Sequence, residues 1–249
     1  MDANLWKIES LRLTNFVDNQ FNSNNLEKWL INITGELPLQ INKSLSNFSG
    51  LSKLEESVVK LEWRQNRIDL IENSDAPNIK NNIGDFSHFS ELCEMRILRY
   101  FQMEDCPVID RLALGVVLYL PVVSNEEGIR IIAPLLKSVI GIENSEDFQL
   151  RINRPVRLEI AGGIKVNRLL TWTIGHVQLL QLQINIQTGI AQSTPLSMQS
   201  EMQLRLEIDL STDAKPGRKI LLEQQKEVVN YFIDTVKKVA ESGEHGLYV

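Results

Sequence analysis

Apolar and polar residues alternate strictly in three stretches of the C-terminal part of the chain. In the last of them Leu204, Leu206 and Ile208 are separated by Arg205 and Glu207. A period of two places the two sets of side chains on opposite faces of a strand. The pattern therefore predicts an antiparallel sheet with one buried and one solvated face. The three stretches are 149–160, 180–187 and 201–210.

Four other segments have apolar residues at the three- and four-residue spacing of a helix. In the first, Leu26, Leu30 and Ile33 precede Gly35, and glycine commonly follows the end of a helix. Pro134 lies inside the third segment and predicts a kink or an early end there. The predicted helices cover 26–33, 87–101, 125–140 and 222–240.

Further strands are predicted in the first half of the chain. The segment 6–17 alternates loosely, which indicates a strand with a bulge near Ser10. Alternation over 61–70, interrupted at Gln65-Asn66-Arg67, predicts a tight hairpin. The segment 111–123 is apolar at almost every position. A strand tolerates this when both of its faces are covered, so we expect it in the centre of the sheet.

Two segments show no regular pattern. The segment 37–57 contains Pro38, Gly50 and many serine and asparagine residues, and we expect a loop or an irregular excursion. The last residues, 242–249, are expected to form a tail.

Together these elements predict an α+β fold, with a largely antiparallel sheet of about five to eight strands and helices packed mainly on one face. A strand precedes a helix three times along the chain, and the middle and C-terminal units suggest a weak internal duplication. No segment has the composition of an interdomain linker, so residues 1–249 are expected to form a single unit. The alternative is a division into an N-terminal lobe, 1–105, and a C-terminal sheet-and-helix lobe, 106–249.

Composition narrows the class of protein. With 249 residues, of which 43% are hydrophobic, the chain can bury a core without disulfide or metal cross-links. The longest apolar stretch, 112–123, is too short to span a bilayer. Cys93 and Cys106, and a start without a secretion signal, predict a reduced cytoplasmic protein with no membrane partner. The net charge of −6 disfavours nucleic-acid binding by the whole surface but allows a local basic face.

Motifs typical of catalysis or cofactor binding do not occur in the sequence. His88, His176 and His245 are not at metal-ligand spacing with cysteine or acidic residues. Nucleophile-elbow and phosphate-loop patterns are also missing. We therefore expect no cofactor, no metal and no catalytic residue. One alternative is a metal-dependent nuclease that uses carboxylates on strands. Its candidate acids are Asp69, Glu159, Glu207 and Asp209.

A second alternative is a nucleic-acid-binding module. One basic stretch followed by an aromatic residue is the candidate phosphate-binding face. Pairing of its arginines with Glu207 and Asp209 across the sheet is the competing interpretation. The residues of this candidate basic face are Arg151, Arg157, Lys165, Arg168 and Trp172.

Two features predict association with a protein partner or with a second copy of the chain. The polar positions of the segment 180–187 are amides, and a strand without charge is poorly protected against edge pairing. The last helix carries more apolar residues than one buried stripe requires. The candidate interface consists of Gln181, Gln183, Asn185, Gln187, Val229 and Ile233.

Two strand–helix units carry a resemblance. The strand Leu206-Glu207-Ile208-Asp209, before a helix containing Phe232, and the strand 111–120, also before a helix, resemble a sporadically distributed family of uncharacterised bacterial proteins of about this length. Tyr119-Leu120-Pro121 stands where that family tends to carry an Asn-Arg pair. The resemblance implies a bacterial, mobile-element or phage-defence setting, and it implies nothing about chemistry. Because the sequence has no metal, nucleophile or phosphate motif and one predicted strand has a polar but uncharged face, we favour a non-catalytic binding or assembly subunit of a bacterial cytoplasmic complex.

Overall fold

The fold was obtained as a computed structural model. It describes residues 2–17, 23–75, 82–103, 105–136, 138–143, 145–160, 163–177, 180–185, 190–195, 200–215 and 217–248, with the backbone alone for 180–185 and 190–195. Within these ranges a large antiparallel sheet carries four helices, which confirms the α+β class.

The elements of the described chain are numbered in chain order. The helices are α1 (Leu26–Thr34), α2 (Phe89–Cys93), α3 (Asn125–Ile132) and α4 (Leu222–Ser242). A π-helical turn, Glu94–Leu98, extends α2, and 3-10 turns follow α3 (Ala133–Leu135) and α4 (Gly243–Leu247). The strands are β1 (Lys7–Val17), β2 (Gln40–Lys43), β3 (Asn47–Lys53), β4 (Ser57–Arg64), β5 (Arg67–Ser74), β6 (Gly84–Asp85), β7 (Ile109–Pro121), β8 (Gln149–Asn153), β9 (Val156–Leu158), β10 (Ile164–Val177), β11 (Leu180–Asn185), β12 (Ile190–Pro195) and β13 (Glu201–Thr212).

The strand order shows an internal repeat. The main sheet runs β2-β3-β4-β5-β1-β7-β13-β10-β8, with β6 beside β1 and β9 beside β10, while β11 pairs with β12. Among the described strands, the long strand that opens each half pairs with a later strand of the same half, β1 with β5 and β7 with β13. The two first strands, β1 and β7, pair antiparallel at the centre. The repeat thus relates the N-terminal and C-terminal halves, whereas the sequence suggested the middle and C-terminal units.

The helices all pack on one face of the main sheet. A Cβ atom added to Gly50 of β3 would lie 2.8 Å from Leu30 of α1, and one added to Gly128 of α3 would lie 2.9 Å from Ile174 of β10. Trp6, at the start of β1, donates its indole N–H to the carbonyl oxygen of Ala240 in α4. The main core therefore lies between the helices and this face.

Several local predictions are confirmed. The β1–β7 register shifts between Ile8 and Ser10, at the predicted bulge. Gln65 has a positive φ of 55° in the hairpin between β4 and β5, and Gly35 has a φ of 75° directly after α1. The α-helix of α3 changes to a 3-10 turn next to Pro134. The apolar strand β7 lies between β1 and β13, in the middle of the sheet.

Other predictions were wrong. The segment 37–57 was predicted to be irregular but contains β2 and β3. The sequence pattern did not reveal β3 because two of its inward positions are held by Gly50 and Ser52, which are not hydrophobic, beside Phe48. The predicted tail instead forms a packed 3-10 turn in which Glu244 is buried. The 180–187 stretch was assigned to the main sheet, but within the described backbone its strand pairs with β12 in a separate hairpin.

Candidate binding surface on the open sheet face

The face of the main sheet opposite the helices is called the open face. Along each central strand every second side chain points to it, while the alternate ones, such as Leu114 and Leu210, are buried under the helices. Backbone pairing aligns the outward residues into rows that run across the strands. Two neighbouring rows at the centre are Thr14, Ala113 and Ser211, and Arg12, Gly115 and Asp209.

A row of cationic side chains crosses one end of the open face. The row crosses seven strands in the order β4, β5, β1, β7, β13, β10 and β9. Five of them carry a cation, β1 contributes Phe16, and β13 contributes no cation. At about 4.8 Å per strand the row extends over about 29 Å. We call these residues the basic row: Arg64 on β4, Arg67 on β5, Arg111 on β7, Lys165 on β10 and Arg157 on β9.

Phe16 lies between two guanidinium groups of the basic row. The guanidinium carbon of Arg111 is 5.2 Å from the centre of the ring, and that of Arg67 is 5.9 Å away. Both distances are within the range of cation–π attraction. Arg67 also pairs with Asp69 through two N–O contacts of 2.6 and 2.8 Å. The ring and the carboxylate therefore hold Arg67 in a defined position.

Arg64, at the outer end of the basic row, is paired with Glu62 at 3.0 Å. The same carboxylate accepts an ion pair from Lys60 at 2.7 Å. Burial acts to raise the pKa of Glu62, but the hydrogen bond and charge of Lys60, together with Arg64, hold the pKa below its ordinary value. Arg64 therefore shares a single carboxylate with Lys60, and this pair of cations keeps one net positive charge.

The other three cations of the basic row have no carboxylate within ion-pair distance among the described residues. Arg111 donates to a carbonyl and a hydroxyl oxygen of β13, at 3.0 and 3.2 Å. Arg157 donates to the carbonyl oxygen of Gly163 at 3.3 Å, and Lys165 is exposed. The nearest acid along the row is Asp213, which pairs with Arg218. This part of the open face thus carries uncompensated positive charge.

The middle of the open face is formed by small and apolar residues of β7. Ala113, Gly115 and Val117, which we call the β7 stripe, are partly exposed. The side chain of Arg12 crosses the stripe, since its Nη2 atom lies 3.6 Å from where a Cβ of Gly115 would be. Asp209 is aligned with Gly115 on the opposite side. From Leu112 to Leu120 the strand therefore carries uncharged residues on both faces, although helices cover only one.

Two carboxylates surround one guanidinium at the end of the open face away from the basic row. Arg205 forms a bidentate ion pair with Glu9, at 2.8 and 3.0 Å, and also pairs with Glu207. Burial acts to lower the pKa of Arg205, but the hydrogen bond and charge of Glu9 and the charge of Glu207 raise it overall. The guanidinium group of Arg205 is thus held by two carboxylates, and this cluster leaves no free cation.

The structure divides the candidate basic face predicted from the sequence. Arg151, Arg157 and Lys165 lie on the open face and are exposed. Arg168 and Trp172 point to the helices, so their assignment to the same face was wrong. The reason is the two-residue period of β10, which puts odd-numbered positions such as Lys165 and even-numbered positions on opposite faces.

Arg168 and Trp172 have structural surroundings. Arg168 is 9% exposed and donates hydrogen bonds to the carbonyl oxygens of Arg154 and Leu247 and to the hydroxyl of Tyr231. Trp172 is fully buried, with its ring 6.2 Å from that of Trp6. The predicted pairing of the basic stretch with Glu207 is also wrong, because Glu207 pairs with Arg205 of its own strand.

The four candidate acids do not converge. Glu207 and Asp209 are neighbours on the open face of β13, whereas Asp69 lies three strands away, at least about 14 Å from Asp209. Asp69 is held by Arg67 and accepts a hydrogen bond of 2.6 Å from Thr14. Glu159 is exposed beyond the end of β9. In the described ranges no three His, Cys, Asp or Glu side chains form a group suited to a metal ion.

The candidate interface is likewise divided. Val229 and Ile233 are 0% and 6% exposed, because α4 is covered by the sheet on one side and by the turns around it on others. The prediction that they lie at a contact surface was wrong. Gln181, Gln183 and Asn185 lie on β11, where the structure describes only the backbone, and Gln187 lies outside the described residues.

Sequence reasoning missed the N-terminal half of the basic row. Arg64, Arg67, Phe16 and Arg111 come from four different strands and are brought into line by strand pairing alone. A local signal existed, because Arg64 and Arg67 flank the hairpin turn and Arg111 begins the apolar strand. It becomes informative only when the neighbours in the sheet are known.

Comparison with protein-family models gives no match, and comparison with curated proteins gives none either. Among the described residues, no helix combines the length and apolar character needed to cross a lipid bilayer.

Proposed function

We propose that this protein is a non-catalytic binding and assembly subunit that receives a protein partner on the β7 stripe of its open face. The observation that carries the proposal is that β7 has uncharged residues on both faces from Leu112 to Leu120, while helices cover one of these faces. Strands of this composition occur where both faces are covered. A partner would complete the second layer over Ala113, Gly115 and Val117.

The dimensions of the open face support this function. The open face includes seven neighbouring strands, which are β4, β5, β1, β7, β13, β10 and β8. Together they span about 34 Å at 4.8 Å per strand. Eight residues along a strand add about 27 Å, so the face offers roughly 900 Å². A standard protein–protein interface buries about 800 Å² on each partner. One partner domain could therefore occupy this face.

The resemblance to the bacterial family supplies the setting of the proposal, a cytoplasmic complex in a mobile-element or phage-defence context. The nuclease alternative is less well supported by the geometry, since a metal-dependent nuclease requires its carboxylates to converge on a common point. Asp69 and Asp209 are separated by two intervening strands.

The test uses a charge placed on the β7 stripe. The tagged chain is purified together with the products of the neighbouring genes, and the binding of the co-eluting protein is then measured with purified components. We expect Val117→Glu to weaken binding at least tenfold, because a second carboxylate would be buried at the contact beside Glu207, which is aligned with Val117 on β13. The control is Val123→Glu, at a residue that is 89% exposed beyond the end of β7.

Two results would contradict this function. One is a wild-type chain that stays monomeric at tens of micromolar and elutes with no neighbouring gene product. The other is equal binding by the Val117→Glu and wild-type chains, with circular dichroism showing that both are folded.

A further inference from the structure

Positive charge is concentrated in the basic row of a protein that is acidic overall. The chain has a net charge of −6. Arg67 is paired with Asp69 and Arg64 shares Glu62 with Lys60, whereas Arg111, Lys165 and Arg157 have no paired carboxylate within the described part of the chain. A polyanion is therefore repelled by most of the surface and attracted to this end of the open face.

We propose that the basic row binds a nucleic-acid strand through its phosphate groups. Guanidinium and ammonium groups are the usual partners of phosphate oxygens in proteins. Asn167, which lies on β10 in the adjoining register row, adds a partly exposed amide that can donate a hydrogen bond. The length of the row, about 29 Å, lets several successive phosphates meet a cation.

This inference goes beyond the proposed protein-binding function and does not depend on it. Val117 lies six residues along β7 from Arg111, a distance of about 20 Å. Charges that far apart in solvent interact weakly, because the Debye length is about 10 Å at moderate salt. The Val117→Glu chain is therefore expected to bind nucleic acid as the wild type does, which separates the two proposals experimentally.

The test is fluorescence anisotropy with a labelled single-stranded oligothymidylate and with a labelled RNA of the same length. Contact with three to five phosphates predicts a slope of about −2 to −3.5 in a plot of log affinity against log salt. Between 50 and 200 mM salt the affinity should then fall about 20- to 130-fold.

The decisive variant reverses the two exposed cations, Arg157→Glu with Lys165→Glu. We expect at least a tenfold loss of affinity and a salt slope that is smaller by about 1.4, as two phosphate contacts are removed. The matched control is Lys28→Glu with Arg99→Glu, which changes the net charge equally on the helix side, where both residues are exposed. The control should bind as the wild type does.

Three outcomes would overturn the proposal. They are no binding by the wild type at low salt, an equal loss in both double variants, and displacement of the oligonucleotide by poly-glutamate as effectively as by unlabelled oligonucleotide. The last result would assign the row to an acidic peptide. If the double reversal does not fold, Arg157→Gln with Lys165→Gln replaces it and should reduce the salt slope in the same direction.

Discussion

A guanidinium N–H of Arg168 donates to the carbonyl oxygen of Leu247 over 2.8 Å and so joins β10 to the turn that follows α4. The same side chain holds the carbonyl oxygen of Arg154 at 2.7 Å. A residue that sequence reasoning assigned to a binding face is thus a buried cross-link. It connects an edge of the main sheet to the C-terminal end of the described chain.

Replacing this cross-link should destabilise the fold. We expect Arg168→Ala to lower the free energy of unfolding by about 2–3 kcal/mol, because several buried oxygens lose a charged donor. Urea denaturation measures the change. Arg151→Ala, at an exposed position on β8, is the control and should change stability by less than about 0.5 kcal/mol. Equal stability of the two variants would contradict the structural role of Arg168.

The C-terminal turn should not tolerate a side chain at Gly246. A Cβ atom there would lie 2.4 Å from the carbonyl oxygen of Lys238, which is backbone and cannot move aside. Gly246→Ala is therefore expected to cost about 1–3 kcal/mol or more in a thermal or urea melt. Gly175→Ala is the matched control, since its Cβ would meet no atom within 4 Å. A stable Gly246→Ala chain would show that the turn is not packed.

The two cysteines should resist alkylation in the folded protein. Burial raises the pKa of Cys93 to about 12, and it does the same for Cys106. At about pH 8 the thiolate fraction is then roughly a thousandfold lower than in the unfolded chain. Labelling with iodoacetamide, followed by mass spectrometry with and without denaturant, measures the difference. Rapid labelling of either thiol in the native protein would refute the prediction.

The free energy of unfolding should depend on pH in the acidic range through the ionisation of Glu62. Its pKa is lowered in the folded state, so its contribution is present above its ordinary pKa of 4.5 and is lost as the pH falls through the folded value. At about pH 7, Glu62→Gln should be less stable than the wild type by about 0.5–1 kcal/mol. The difference should vanish near about pH 2, which urea melts at both pH values can check.

Association through the amide-rich strand remains a prediction. If two protomers pair through the strand that carries Gln183, lysines there would bring like charges together at a self-complementary contact. Gln183→Lys with Gln187→Lys should then lower the assembly state in sedimentation or light scattering. Lysine at Val123, which is 89% exposed, should have no effect. Identical sedimentation of the double variant and a dimeric wild type would exclude this contact.

Much of the architecture followed from local patterns. The spacing of Leu26, Leu30 and Ile33 before Gly35 correctly located α1, and unbroken hydrophobicity correctly located β7 at the centre of the sheet. These inferences succeed because the face of an element that is buried consists of hydrophobic residues. Such residues recur with a period of 3.6 in a helix and of 2 in a strand, and this period can be seen in the sequence. The pattern failed at β3, where Gly50 and Ser52 are small enough to lie beneath α1 without being hydrophobic.

By itself, then, the sequence determined the fold class, the helices and most of the strands of this protein. The sequence could not show which strands are neighbours in the sheet. The pairing of the strands decides which residues form the candidate site. Arg64, Arg67 and Arg111 form a row with Phe16 because β4, β5, β1 and β7 pair in a particular register. The burial of Arg168 also depends on the tertiary structure, because three oxygens from other segments of the chain converge on its side chain. Such contacts depend on long-range pairing, and residues far apart in the chain carry no local periodicity that reports it.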